Sequence, residues 1–394
     1  MRLFRRFGAT LIAVLLVMAA VSASSFADTA YPSNKQTFGG TTSFNKYLVL
    51  RQDADVPAAK FTFSVSAGAA IPETDTTLPV LAGLSPAGVK IGDTNKQTVF
   101  TAGQATTDGA ADDGIANSTD KKFATNTVTV DFSSVKFPEP GIYRYVITEA
   151  AVPASDTSGR FTHDGVTERT LDVYIVDDGT GTLQVAENGY VMYSGRVTTA
   201  PSATETKPDG KSSQYVNEYH TQNLSVTKKV AGNQGSHDKY FKFTVKIENA
   251  GAGTVVYVDT TACKTAPAQS AATNTAYTAE VMQTANNITS LTAGEDGKIE
   301  HVFYLAHDDT VTVTGIPKGA TYSVTEDKED YANTPPSNAS GSIADADVEV
   351  LFTNTRTGNV PTGILMSIAA PVLMVIAGIC GLVAVRRKKS KNGQ

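Results

Sequence analysis

A set of one Lys, one Glu and one Asn occurs twice along this chain, in the same order and inside matching apolar runs. Phe44-Asn45-Lys46 is answered by Val226-Thr227-Lys228. Fifteen residues after each lysine come Phe61-Thr62-Phe63 and Phe243-Thr244-Val245. Tyr145-Val146-Ile147-Thr148-Glu149 is answered by Tyr322-Ser323-Val324-Thr325-Glu326, each after a glycine-bearing turn at Gly141 or Gly319. Tyr215-Val216-Asn217 is answered by Phe352-Thr353-Asn354. Diverged self-similarity of this kind reads as two copies of one structural unit, divided near Gln222.

The unit is a β unit. Short alternating runs rich in Val, Thr, Tyr and Phe dominate, among them 60–65, 127–132, 143–148, 170–176, 241–247, 301–305, 310–313, 321–325 and 348–353. Gly, Pro, Asp and Asn punctuate them. This pattern predicts an all-β fold of two tandem immunoglobulin-like β-sandwiches. No long stretch of helical period lies between the two chain ends. Two Ala/Gly/Thr-rich stretches, 67–124 and 260–290, read as solvent-exposed excursions from the sandwiches.

Side chains on a strand alternate faces. Lys46 shares its face with Phe44, Leu48 and Leu50, and Lys228 shares its face with Leu224, Val226 and Val230. By the same parity Glu149 goes with Tyr145 and Ile147, Glu326 with Tyr322 and Val324, Asn217 with Tyr215, and Asn354 with Phe352. Each copy therefore aims one Lys, one Glu and one Asn into its core. Burial lowers a lysine pKa and raises a glutamate pKa. A neutral amine is a nucleophile, and a protonated Glu can polarise the Asn carboxamide and shuttle protons. Attack on the Asn carbonyl would expel ammonia and leave an uncharged Lys–Asn amide. The alternative is a buried Lys–Glu ion pair with a hydrogen-bonded Asn.

The ends point to export. Arg2, Arg5 and Arg6 precede an apolar stretch around 11–20, and Ser25-Phe26-Ala27 offers small residues for signal peptidase, so residues 1–27 read as a signal peptide. At the other end Val360-Pro361-Thr362-Gly363 precedes 22 apolar residues, 364–385, and then Arg386, Arg387, Lys388, Lys389 and Lys391. That run is long enough for a transmembrane helix, and the cations hold its end in the cytoplasm. Removing three arginines at the front and these five cations at the back takes the formal charge from −6 to −14. An acidic surface argues against nucleic acid and anionic membrane as partners, leaving the membrane a role only for the precursor. Of two cysteines only Cys263 survives such processing, so no intramolecular disulfide can form. No His/Cys cluster has metal spacing, and no cofactor motif or Gly-x-Ser-x-Gly appears.

The order of motif, apolar span and basic tail resembles the C-terminal sorting signal of Gram-positive surface proteins, in which a sortase cuts between Thr and Gly. General cell-wall substrates read Leu-Pro-x-Thr-Gly. Here Pro361 directly precedes Thr362, as in Val-Pro-Thr-Gly pilin signals. Together with Lys46/Glu149/Asn217, Lys228/Glu326/Asn354 and Gly141-Ile-Tyr-Arg-Tyr, the chain resembles the FctA-type major shaft pilins of streptococci and relatives. That resemblance implies CnaB-like domains at 28–221 and 222–358, with a sorting signal at 359–394. Each domain would carry a Lys–Asn isopeptide bond formed with a catalytic Glu. It implies a non-enzymatic cell-wall protein that sortase polymerises head to tail with copies of itself, with minor pilins and peptidoglycan as further partners. Monomeric adhesin or minor pilin is the other reading. The acceptor lysine should lie shortly before Asn217. The family register falls on Gly210, which favours Lys211, with Lys207 second.

Overall fold

The computed structural model describes residues 37–358 apart from 75–76, 78, 110–114, 116–117, 151–155, 157, 202–210, 213 and 265–276. The expected signal peptide, the Val360–Gly363 motif, the apolar span 364–385 and Lys207 lie outside the described residues. Among the described residues no helix is long and apolar enough to cross a membrane.

The fold is all-β, as two sandwiches with separate cores. In the first, one sheet runs Phe161–Thr162, Gln214–Tyr219, Thr41–Arg51, Lys121–Asp131, Lys90–Ile91. The facing sheet runs Leu183–Ser194, Glu168–Asp177, Gly141–Glu149, Ala59–Ala67, Gln97–Phe100. In the second, Ser290–Thr292, Val255–Asp259, Thr310–Pro317, Thr221–Ala231 and Val348–Thr355 face Ile299–Leu305, Phe241–Glu248, Thr321–Asp327 and Ser340–Ser342. In each unit the first and last long strands pair in parallel, Thr41–Arg51 with Gln214–Tyr219 and Thr221–Ala231 with Val348–Thr355.

Burial follows the alternation. Phe44, Lys46, Leu48 and Leu50 are buried along one strand, and Leu224, Val226, Lys228 and Val230 along its counterpart. The strand Gly141–Glu149 is buried on both faces, because a strap at 195–199 covers its outer side. Arg144 lies on that side and is 1% exposed. Its guanidinium makes a two-pronged contact with Asp172 at 2.7 and 2.8 Å and donates to the carbonyls of Val197 and Thr199.

Two expectations need correction. The stretch 67–124 is not simply an excursion, since Val89, Ile91 and Phe100 are buried in the first core and Val80 is buried as well. Stretch 260–290 holds a helix, Ala279–Asn286, capped by the Thr278 hydroxyl, whose Met282 packs in a small cluster with Tyr240 and Tyr304.

A single residue, His220, separates the last strand of the first sandwich from the first strand of the second. Its N–H donates to Arg160 O at 2.8 Å, and its carbonyl accepts from Lys318 N at 3.0 Å. Gly319 is required beside this junction: its φ is +84°, and a Cβ there would lie 2.1 Å from Ser158 Cβ.

Candidate functional site: two buried Lys, Glu and Asn triads

The parallel pairing fixes where Lys and Asn meet. Lys46 stands opposite Tyr215, with Asn217 two residues further along, and Lys228 stands opposite Phe352, with Asn354 two residues further along. A two-residue offset keeps both side chains on one face. Glu comes from the facing sheet in each unit. Glu149 is paired with Phe63, and Glu326 with Phe243.

Both triads therefore bridge the gap between sheets. Lys46 Nζ lies 2.6 Å from Glu149 Oε1, and Asn217 Nδ2 donates to the same oxygen at 3.2 Å. Lys228 Nζ lies 2.7 Å from Glu326 Oε1, and Asn354 Nδ2 donates to it at 2.9 Å. Lys46, Lys228, Asn217 and Asn354 are all 0% exposed. The amines rest on aromatic faces, Lys46 4.6 Å from the Phe61 ring centre and Lys228 4.4 Å from that of Phe241.

These contacts revise the phase of the repeat. Phe61 and Phe241 do the same job, as do Phe63 and Phe243. The sequence spacing had matched Phe61 with Phe243. The second copy is two residues shorter between its lysine and its ring, so equal spacing selected the wrong aromatic.

Burial dominates the electrostatics. It pulls both lysines down to about 8, against the opposing pull of the neighbouring carboxylates. It also pushes Glu149 and Glu326 above the usual carboxylate range. Each pair is thus moved toward the neutral amine and the neutral acid, the combination that nucleophilic attack requires.

The surroundings differ between the copies in ways the sequence did not signal. The Asn217 side-chain carbonyl accepts from the backbone N–H of Asp164 at 2.9 Å. The Asp164 carboxylate is itself held by Val216 N, Val166 N and Arg169. In the second copy Asn333 donates to Glu326 Oε2, whereas Asn354 Oδ1 is buried without a hydrogen-bond partner among the described residues. The glutamates face the amide nitrogen of each Asn, not its oxygen. Asp164 and Asn333 both sit on loops that return to the edge of the last strand, through Phe161↔Tyr219 and Ala332↔Thr355. Neither loop has a periodicity to reveal it.

Lys211 is exposed, and its backbone bridges Tyr193 while Ser212 N donates to Met192 O. It lies apart from the triads. Among the described residues no group of three or more His, Cys, Asp or Glu could hold a metal ion.

Residues 43–220 match the family described as Spy0128-like isopeptide containing domain (FctA), and residues 222–356 match a domain family of unknown function, DUF7601. The pilin of Streptococcus pyogenes serotype M1 is 25% identical over 397 residues, covering 95% of this chain and 98% of that protein. The T3.2 major pilin of S. pyogenes serotype GAS13637 aligns at 20% identity over 82% of this chain and 99% of its own, with a TM-score of 0.50. Another S. pyogenes major pilin aligns at 20% identity over 82% of this chain and 100% of its own, with a TM-score of 0.48.

Proposed function

We propose that this chain, whose residues 43–220 match the FctA isopeptide family, is the shaft subunit of a covalently polymerised surface pilus, a structural protein whose only chemistry is on its own chain. One observation carries this reading. In each sandwich the Lys Nζ and the Asn Nδ2 meet on a single buried Glu oxygen.

That arrangement suits amide exchange. A proton passes from Lys46 Nζ to Glu149 within the buried pair. The neutral amine attacks Asn217 Cγ. Glu149 gives its proton to Nδ2 and takes one from the attacking nitrogen. The Cγ–Nδ2 bond breaks, ammonia leaves, and a Lys46–Asn217 amide remains. Lys228, Glu326 and Asn354 repeat the sequence. The product carries no charge, which removes the burial cost of the amine. As loop-closing links over 171 and 126 residues, the bonds are worth at most roughly 5 kcal/mol each.

In this reading residues 28–221 and 222–358 are the two domains of the mature chain. Sortase cuts between Thr362 and Gly363 and passes the Thr362 carbonyl to Lys211 of the next copy. An exposed side chain on a pinned backbone supports Lys211 as the acceptor. Tension would enter at Lys211, run along the strands joined at His220, cross to Asn354 through the Lys228 link, and leave at Thr362. The residues between 228 and 354 would then be bypassed, and the Lys46–Asn217 link would tie the first sandwich to the loaded strand.

The test is a blot of cell-wall extract, boiled in SDS and probed for the subunit. A regular high-mass ladder is expected. A single monomer-sized band would overturn the shaft reading and favour a wall-anchored monomer.

A further inference from the structure

We propose that the backbone N–H of Asp164 is the oxyanion donor for bond formation in the first sandwich, and that the second sandwich, lacking such a donor, forms its bond more slowly. The inference rests on the isopeptide reading and extends it to the transition state.

When Lys46 Nζ attacks Asn217 Cγ, the carbonyl electrons move onto Oδ1. Glu149 faces the other atom of the amide: its Oε1 meets Lys46 Nζ and Asn217 Nδ2, and its Oε2 makes no hydrogen bond among the described residues. The Asp164 N–H already points at Oδ1 from 2.9 Å, within the range of an oxyanion donor. It is also held rigidly. The Asp164 carboxylate accepts from Val216 N at 2.9 Å, from Val166 N at 2.9 Å and from Arg169 at 2.8 Å. Val216 is the chain neighbour of Asn217, so the donor is fixed to the strand that bears its acceptor. A groove of about 380 Å³, lined in part by Asp164, Arg169, Val216 and Asn217, opens beside this point and gives ammonia a way out.

The second triad has the same Lys, Glu and Asn geometry without this element. Among the described residues Asn354 Oδ1 has no hydrogen-bond partner, and the returning loop supplies Asn333, which donates to Glu326 instead. Donation to the carboxylate favours its ionised form and so opposes the proton transfer that frees the amine. Both differences act in the same direction.

The test uses cell-free synthesis of the full chain, blocked after a short pulse. Aliquots quenched in acid over time are read by intact mass and peptide mapping. The singly linked intermediate should carry Lys46–Asn217, with the second link following at least tenfold more slowly. Asp164→Pro removes the donor and should slow the first link by about 10²–10³-fold while leaving the second unchanged. Asp164→Ala keeps the N–H but frees it from its three holds, and should slow the first link by a smaller factor. The second link in the same molecules reports folding of the second sandwich, and limited proteolysis reports folding of the first. Asp164→Pro or Asp164→Ala chains that form the first link at the wild-type rate would overturn the proposal. So would a second link that forms as fast as the first. If Asp164→Pro fails to fold, Asp164→Ala decides alone. Wild-type chains that never lose ammonia would instead remove the isopeptide reading itself.

Discussion

Asn354 stands two residues beyond the strand partner of Lys228, and both side chains reach the same oxygen of Glu326. Lys46 and Asn217 repeat that offset on Glu149. The relationship depends on parallel pairing between the first and last strands of each unit. A slip of one residue would turn the asparagine to the opposite face of the sheet. The apolar residues on either side of each lysine hold the register, so core packing and reactive geometry are set by the same alternation.

The duplicated geometry predicts two losses of ammonia. Intact mass of the purified chain should fall by the mass of two ammonia molecules. Glu149→Ala and Glu326→Ala should each retain one, lose up to roughly 5 kcal/mol of stability with the cross-link, unfold at lower temperature, and become sensitive to trypsin. A full, unreduced wild-type mass would restore the buried ion pair. Single Glu variants that still link both sandwiches would mean the proton shuttle is some other group.

The triads were legible because each member sits on a strand whose alternation is clean. Burial of Lys46 follows from Phe44 and Leu48 without any knowledge of the partner strands. The strand Leu183–Ser194 was not legible, since Asn188 takes φ +56° and its pairing shifts between Val173 and Ile175, which breaks the period. The strands between 67 and 124 escaped notice for another reason. They run two to four residues, too short to show a period, yet they bury Val80, Ile91 and Phe100. Asp164 and Asn333 act from loops, through one backbone N–H and one side-chain amide, and their residue types alone carry no signal of that role. The two-residue error at Phe243 has the same origin, because loop length between strands is free to differ between copies while strand register is not.

A lysine left unreacted should make stability depend on alkaline pH. Asn217→Ala keeps Lys46 as a buried amine, which burial lowers to about 8 against 10.5 for a free lysine. The unfolded chain then binds more protons between those values, so the variant should gain stability as pH rises from about 8 to 10.5. In the proposed reading wild type has Lys46 consumed as an amide and should lack this rise. Urea midpoints across that window separate the two. Parallel profiles would show that Lys46 titrates in neither protein or in both.

Arg144 and Asp172 form a buried ion pair on the covered face of the Glu149 strand, with both side chains at most 2% exposed. Arg144→Met would leave the carboxylate buried and alone, a cost of about 3–5 kcal/mol. It would also release the carbonyls of Val197 and Thr199, which Arg144 holds. Pairing the change with Asp172→Leu should recover much of the loss. Denaturant midpoints of the three variants test this, and a double variant no more stable than Arg144→Met would show that the strap contacts, not the ion pair, set the cost.

Lys211→Ala should leave folding and both ammonia losses intact while abolishing the ladder in cells. The Lys211 side chain is exposed and its backbone is tied to Tyr193, so its removal disturbs no core contact. Lys46 and Lys228 cannot replace it, being 0% exposed and committed to the triads. The variant subunit should still reach the wall as a monomer, because its own Thr362 remains transferable. An undiminished ladder would exclude Lys211 and direct the same experiment to Lys207. A ladder that survives both single substitutions and the double one would place the acceptor outside this loop. The load path drawn through His220 would then have to begin elsewhere.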